Sequence, residues 1–279
     1  MKRKLLFGLT GAAVLGLASQ LMAAQITIQD NLSGTGFGFG PFGTAQEDNE
    51  TEPGTVGTQM WDLEAFSIVD HTLYMVGGWN FRTGDTGYSG ATGYRPGDLF
   101  IKVGVSAPSG DPTGTTTGTI ANSYAYNYAV ILNNGLGSSA IVRTLTSASL
   151  LNTVAYDQFR SNPWDYASGS TSSGSTAITY TTGLTDGNAL WATLGLPNLH
   201  GDVNGVGSHN VVSVDLSFLL GTVGSGTPVW FSYTMECGND SLKGQYSGGF
   251  RTPDGGATLM LLGMGLSALG VVSRKVRKV

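Results

Sequence analysis

Two acids two residues apart, Asp62 and Glu64 in the segment WDLEAF, have a type and spacing that can do chemistry. On a β-strand they share a face, and a retaining glycosidase needs two carboxyl groups close together. The same pattern also arises without chemistry, on the wet face of a strand. A second cluster sits in GDVNGVGSHN, residues 201–210, which brings Asp202, Asn204 and His209 close in sequence. Asp-x-Asn followed by Gly opens like a calcium loop, but the further acidic ligands and the closing Glu are missing. A polar turn between strands is the better reading. Three histidines (His71, His200, His209) and one cysteine, Cys237, give no zinc spacing. G-x-S-x-G, H-E-x-x-H and a phosphate loop do not occur, and nothing marks a strand-to-helix turn around the alternating glycines of GTGFGFGPFG, residues 34–43. No catalytic residue, metal ligand or cofactor is therefore assigned. Four aromatics, Trp79, Tyr88, Tyr94 and Trp164, lie beside long loops. Their rings either stack on sugars or belong to the core; Trp79 and Trp164 are taken as the candidate glycan contacts.

The elements that must position such residues read as strands. In DLFIKVGV, Leu99, Ile101, Val103 and Val105 alternate with Phe100 and Lys102. In NVVSVDLSFL, Val212, Val214, Leu216 and Phe218 alternate with Val211, Ser213, Asp215 and Ser217. PVWFSYTME places Val229, Phe231, Tyr233 and Met235 on one face, and SYAYNYAVIL does the same with Tyr124, Tyr126, Tyr128, Val130 and Leu132. TLYMVGGW is apolar nearly throughout, as a central strand covered on both sides would be. Segments rich in Gly, Ser, Thr and Asn at residues 47–54, 82–97, 107–118 and 167–176 read as loops. A helix is expected over residues 147–159, SASLLNTVAYDQF. The expected fold is all-β, a single antiparallel β-sandwich or jelly roll.

The ends of the chain are of another kind. Residues 1–24 carry Lys2, Arg3 and Lys4, then an apolar stretch from Leu5 to about Ala18, then small residues at Ala23 and Ala24. That is the layout of a secretory signal peptide. Residues 25–251 form the expected surface domain, with eighteen acids against seven bases. So acidic a body argues against nucleic acid or anionic lipid as a partner. Cys237 has no internal partner for a disulfide, which leaves a small buried hydrophobe or an intermolecular bridge.

Residues 252–279 hold three features in order: Thr252, Pro253, Asp254, Gly255 and Gly256; then 17 uncharged residues, 257–273; then Arg274, Lys275, Arg277 and Lys278. Seventeen apolar residues lie at the lower limit for crossing a bilayer, and the basic cluster reads as a cytoplasmic stop-transfer signal. Pro253 and the Gly pair keep the entry to the span non-helical. This tripartite end resembles a PEP-CTERM-type sorting signal of the Pro-Asp-Gly-Gly variety. The resemblance implies an exosortase, an intramembrane cysteine transpeptidase, as the processing enzyme. WDLEAF, LYMVGGWNF and GDLFIKVG, within residues 61–104, and FSYTMECGND, residues 231–240, resemble segments of exosortase-dependent surface proteins of Gram-negative bacteria. More loosely, the same strand order resembles carbohydrate-binding β-sandwiches.

The expected function is that of a non-enzymatic surface or exopolysaccharide-matrix protein. Its expected partners are the Sec export machinery, an exosortase, the inner membrane through the C-terminal helix, and exopolysaccharide. A carbohydrate-binding module is the alternative reading, and a secreted glycan-acting enzyme the third.

Overall fold

The computed structural model describes residues 23–27, 59–85, 93–108, 117–132, 137–154, 162–196 and 208–250. Ten strands form one antiparallel sheet: β1 (Ala24–Gln25), β2 (Leu63–Val69), β3 (Thr72–Gly77), β4 (Leu99–Val103), β6 (Tyr128–Ile131), β7 (Ser139–Thr144), β10 (Ser172–Leu184), β11 (His209–Asp215), β12 (Val229–Thr234) and β13 (Ser241–Tyr246). Their spatial order is β1-β2-β3-β11-β10-β7-β6-β4-β12-β13. Three more strands, β5 (Gly118–Ala121), β8 (Leu150–Val154) and β9 (Asn162–Ser168), make a separate sheet in the order β5-β8-β9. The one α-helix among the described residues is α1, Ala189–Leu194.

The large sheet folds over itself about β10. The first half of that strand, residues 172–177, pairs with β7, and its second half, from residue 178, pairs with β11. The two far edges then meet, because Thr27 bridges to Gly244 and the amide of Gln245 donates to the carbonyl of Ile26 at 3.0 Å. A Cβ on Gly244 would lie 2.8 Å from the Phe66 ring and 3.1 Å from the Ile26 carbonyl. Glycine is what permits the edges to approach. Closing the sheet this way shields backbone groups that an open edge leaves unpaired.

Period two decides which side chains line the interior. Leu99 and Ile101 of β4, Val212 and Val214 of β11, and Val229, Phe231 and Tyr233 of β12 all enter the main core, with Leu216 and Met235 just beyond the strand ends. Two outer faces are also covered. Ala65, Val76 and Val211 pack under Trp191 and Leu194 of α1, whereas Phe100, Ala129 and Leu145 pack with Leu151 of the three-stranded sheet. Strand β3 is thus buried from both sides, through Leu73 and Met75 inward and Val76 outward.

Three local expectations are corrected. Residues 150–154 are strand β8 instead of the middle of a helix. Pairing with β5 and β9 satisfies their backbone and buries Leu151, which a short apolar run alone cannot foretell. The helix forms instead at α1. There Asn188 accepts the Leu190 amide at the N-cap, and Gly195, at φ 74°, closes the C-terminus. The supposed loop 167–176 is largely strand: only residues 169–171 connect β9 to β10, and Ser172–Thr176 pair with β7 through the backbone ladder, with Ser172 Oγ also bonded to Thr144 Oγ1 at 2.9 Å. Finally, the tyrosines of SYAYNYAVIL do not share a face. Ala125 has φ 60°, and the Asn122 side chain clamps both backbone groups of Tyr126, at 2.8 and 3.1 Å. The turn sends Tyr124 and Tyr126 outward to Phe100, while Tyr128 points inward to Phe218.

Candidate functional site

Strand β2 starts with a bulge. Leu63 pairs with Gly77 and Ala65 with the next residue, Val76, so Glu64 has no opposite number in the ladder. Leu63 and Phe66 on either side of the bulge enter the main core, whereas Ala65 and Glu64 face the α1 side of the sheet, Glu64 through His209, which packs on Trp191. The acids expected on a wet face are therefore buried: Asp62 is 2% and Glu64 1% exposed. They do not form a solvent-facing carboxylate pair.

Glu64 meets His209, the first residue of β11, instead. His209 Nδ1 lies 2.7 and 2.8 Å from the two Glu64 oxygens, and Nε2 lies 2.9 Å from Asp186 Oδ1 in the turn before α1. Gln59 Nε2 donates to Glu64 Oε1 at 2.6 Å, and the Trp191 ring stands edge-on to the imidazole at 5.2 Å. Burial raises the pKa of Glu64, offset in part by His209 and Gln59. Burial works against charge on His209 as well, but Glu64 and Asp186 outweigh it and hold the imidazole above its ordinary value. A neutral imidazole has one N–H. With a carboxyl group on each nitrogen, the cluster holds an imidazolium or a proton on one acid. The two carboxylates sit on opposite sides of the ring and share no point at which a metal could bind. Among the described residues no group of three His, Cys, Asp or Glu side chains is placed to hold one.

Over this cluster opens a cleft of about 600 Å³, lined by Gln59, Asn80, Asp85, Thr182, Ser208 and Asn210 among others. Its far wall carries a second bulge, a register shift in β10 between Thr181 and Leu184, with Gly183 at φ 71°. His209 joins Glu64 of β2 to Asp186 in the turn that follows β10.

The candidate glycan contacts lie elsewhere. Trp79 borders the cleft but is 0% exposed, its ring tilted against Trp61 at 5.1 Å, so it offers a sugar no surface. Trp164 is 7% exposed, and the Arg95 guanidinium covers its ring at 4.6 Å. Arg95 is held there by the Glu236 carboxylate at 3.0 Å. Core packing and a cation–π contact take up both indoles. Tyr94, by contrast, is 37% exposed beside the cleft, its backbone carbonyl accepting the Asp85 amide at 3.1 Å. Tyr88, Asp202 and Asn204 lie outside the described residues, as do residues 252–256 and the basic cluster Arg274, Lys275, Arg277 and Lys278. No sequence signal could have gathered Gln59, Asn80, Thr182, Asp186 and Asn210, which come from four separate stretches of chain.

Comparison with known proteins bears on the C-terminus. Residues 253–276 match the family model of the VPDSG-CTERM motif. The chain ends in a CTERM sorting signal. Pro253, Asp254 and Gly256 agree with the motif as named, while Thr252 and Gly255 stand in place of its Val and Ser. Such a signal marks an exported protein sorted to a membrane or surface location. No curated protein and no solved structure matches the chain.

Proposed function

We propose that this protein is a non-enzymatic component of the cell surface or exopolysaccharide matrix of a Gram-negative bacterium. It leaves the cytoplasm by the Sec route, is held in the inner membrane by residues 257–273, and is processed at Thr252–Gly256 by an exosortase. The observation that carries this reading is the CTERM match at residues 253–276, which spans the apolar segment and the first two basic residues after it, Arg274 and Lys275. The physical case for cleavage is that Pro253, Gly255 and Gly256 are helix-disfavouring residues just before the apolar segment. An extended, unpaired segment is what a peptidase site can grip.

The non-enzymatic reading is favoured by His209, whose two nitrogens both face carboxyl groups, so neither is left to activate a hydroxyl or a water. A carbohydrate-binding module is the second reading, favoured by the polar cleft. Mass spectrometry of surface-extracted protein tests the first. We expect no peptide containing Arg274 or Lys275 in the mature form, and the double variant Pro253→Ala, Asp254→Ala to stay uncut in the inner membrane. Recovery of those tail peptides from mature surface protein would make residues 257–279 an ordinary anchor.

A further inference from the structure

The cleft holds a donor and an acceptor that are fixed before any ligand arrives. Asn80 Oδ1 accepts the amides of Arg82 and Thr83, each at 3.0 Å, which pins the side chain in a turn and leaves Nδ2 without a partner among the described residues. Asn210 is pinned from the other end: Nδ2 donates to the Gly78 carbonyl at 2.7 Å, leaving Oδ1 in the same position. The hydroxyls of Thr182 and Ser208 are exposed on the same walls. Polar groups held by their neighbours lose little entropy on binding.

Charge narrows the ligand. Asp85 lines the cleft, with no Lys or Arg among the lining residues. An anionic sugar, a nucleotide or a phosphate would meet the Asp85 carboxylate with no lining cation to offset it. Apolar surface narrows it further. Of the exposed large hydrophobic side chains among the described residues, Met60 lines this cleft, and Tyr94, whose ring meets Trp61 edge-on at 5.9 Å, adjoins it through the Asp85 amide bonded to its carbonyl. A ligand with hydroxyls on its edges and C–H groups on its faces uses both features, because each hydroxyl donates and accepts while a ring face packs on an aromatic. The volume, about 600 Å³, falls within the ordinary range of ligand pockets, about 300–1,000 Å³.

We propose that this cleft is a binding site for a neutral glycan, with Asn80 Nδ2 and Asn210 Oδ1 reading adjacent hydroxyls and Tyr94 packing on a ring face. The proposal rests on the surface-protein reading for its ligand class, since an exported chain meets polysaccharide.

The test is calorimetric titration of the full chain in mild detergent with neutral gluco-, manno- and galacto-oligosaccharides, and with oligogalacturonate as the anionic counterpart. At least one neutral oligosaccharide binds, and oligogalacturonate does not. Asn80→Asp keeps the oxygen that the turn requires and replaces the donor with an acceptor, so it weakens binding about tenfold with an unchanged melting temperature. Thr182→Trp, at an exposed position, fills the cleft and abolishes binding. Tyr94→Ala weakens binding for every neutral sugar that binds. No binding by any neutral oligosaccharide, tighter binding of oligogalacturonate, or affinities unchanged in both Asn80→Asp and Thr182→Trp would each overturn the proposal. Sorting is read separately: the Pro253→Ala, Asp254→Ala protein keeps its glycan affinity, and the Asn80→Asp protein keeps its processing.

Discussion

His209 Nδ1 lies 2.7 Å from Glu64 Oε1, between side chains that are 145 positions apart and 0% and 1% exposed. Removing one member of a buried ion pair leaves the other charge without compensation, and that loss outweighs whatever the pair itself contributes. His209→Ala is therefore expected to lower unfolding free energy by about 3–5 kcal/mol. Glu64→Gln keeps the shape and one hydrogen bond, so its cost is smaller, about 1–2 kcal/mol. Urea unfolding measures both. Equal small losses would mean that the cluster does not hold the β2, β11 and α1 region together.

The same cluster gives a pH dependence with a definite sign. The folded-state pKa values of His209 and Glu64 are both raised above their ordinary values, 6.5 and 4.5. Burial and the neighbouring Asp165 raise that of Asp98 as well. For every group of this kind the folded state binds more protons than the unfolded state, so stability falls as pH rises. The contribution of His209 is complete below its unfolded value and is lost as pH climbs through its folded one. The melting temperature is expected to fall as pH rises above about 6.5, and to fall less steeply in His209→Gln. A rise above that pH in the wild-type protein would reverse the assignment.

Two glycines, Gly97 just before β4 and Gly174 inside β10, should respond to alanine in opposite ways. A Cβ on Gly97 would lie 1.9 Å from the Thr234 carbonyl oxygen and 2.8 Å from that of Trp164, both backbone atoms that cannot swing aside. Gly97→Ala should destabilise by about 1–3 kcal/mol or more. Gly174, inside β10, has nothing within 4 Å of that position. Gly174→Ala should stabilise by about 0.5–1 kcal/mol, through loss of unfolded-chain freedom. Thermal unfolding of the two variants separates these outcomes.

Cys237 is a free, half-buried thiol, and burial pushes its pKa up to about 12. The thiolate is the reactive form, so native protein at neutral pH should label slowly, and denatured protein should yield one thiol per chain. Rapid native labelling, or a dimer that reductant dissolves, would show a reactive or bridging cysteine.

Some of this was open to reading in the sequence because it depends on neighbours along the chain. Alternation is local, so Leu99 and Ile101, Val212 and Val214, and Val229, Phe231 and Tyr233 could be put on core faces before any partner strand was known. The sorting signal is a linear pattern from Thr252 to Lys278, recognised without a fold. Tertiary structure alone decided the rest. Residues 147–159 look equally apt for a helix or a strand until β5 and β9 supply hydrogen-bonding partners for residues 150–154. Glu64 looks solvated until β11 brings His209 against it and α1 covers that face of the sheet. Asn80, Thr182 and Asn210 carry no joint signal at all, because the cleft they line exists only where β3, β10 and β11 lie side by side. Strand pairing reaches across more than a hundred residues, and no local pattern encodes which distant segment will satisfy a given backbone or bury a given acid.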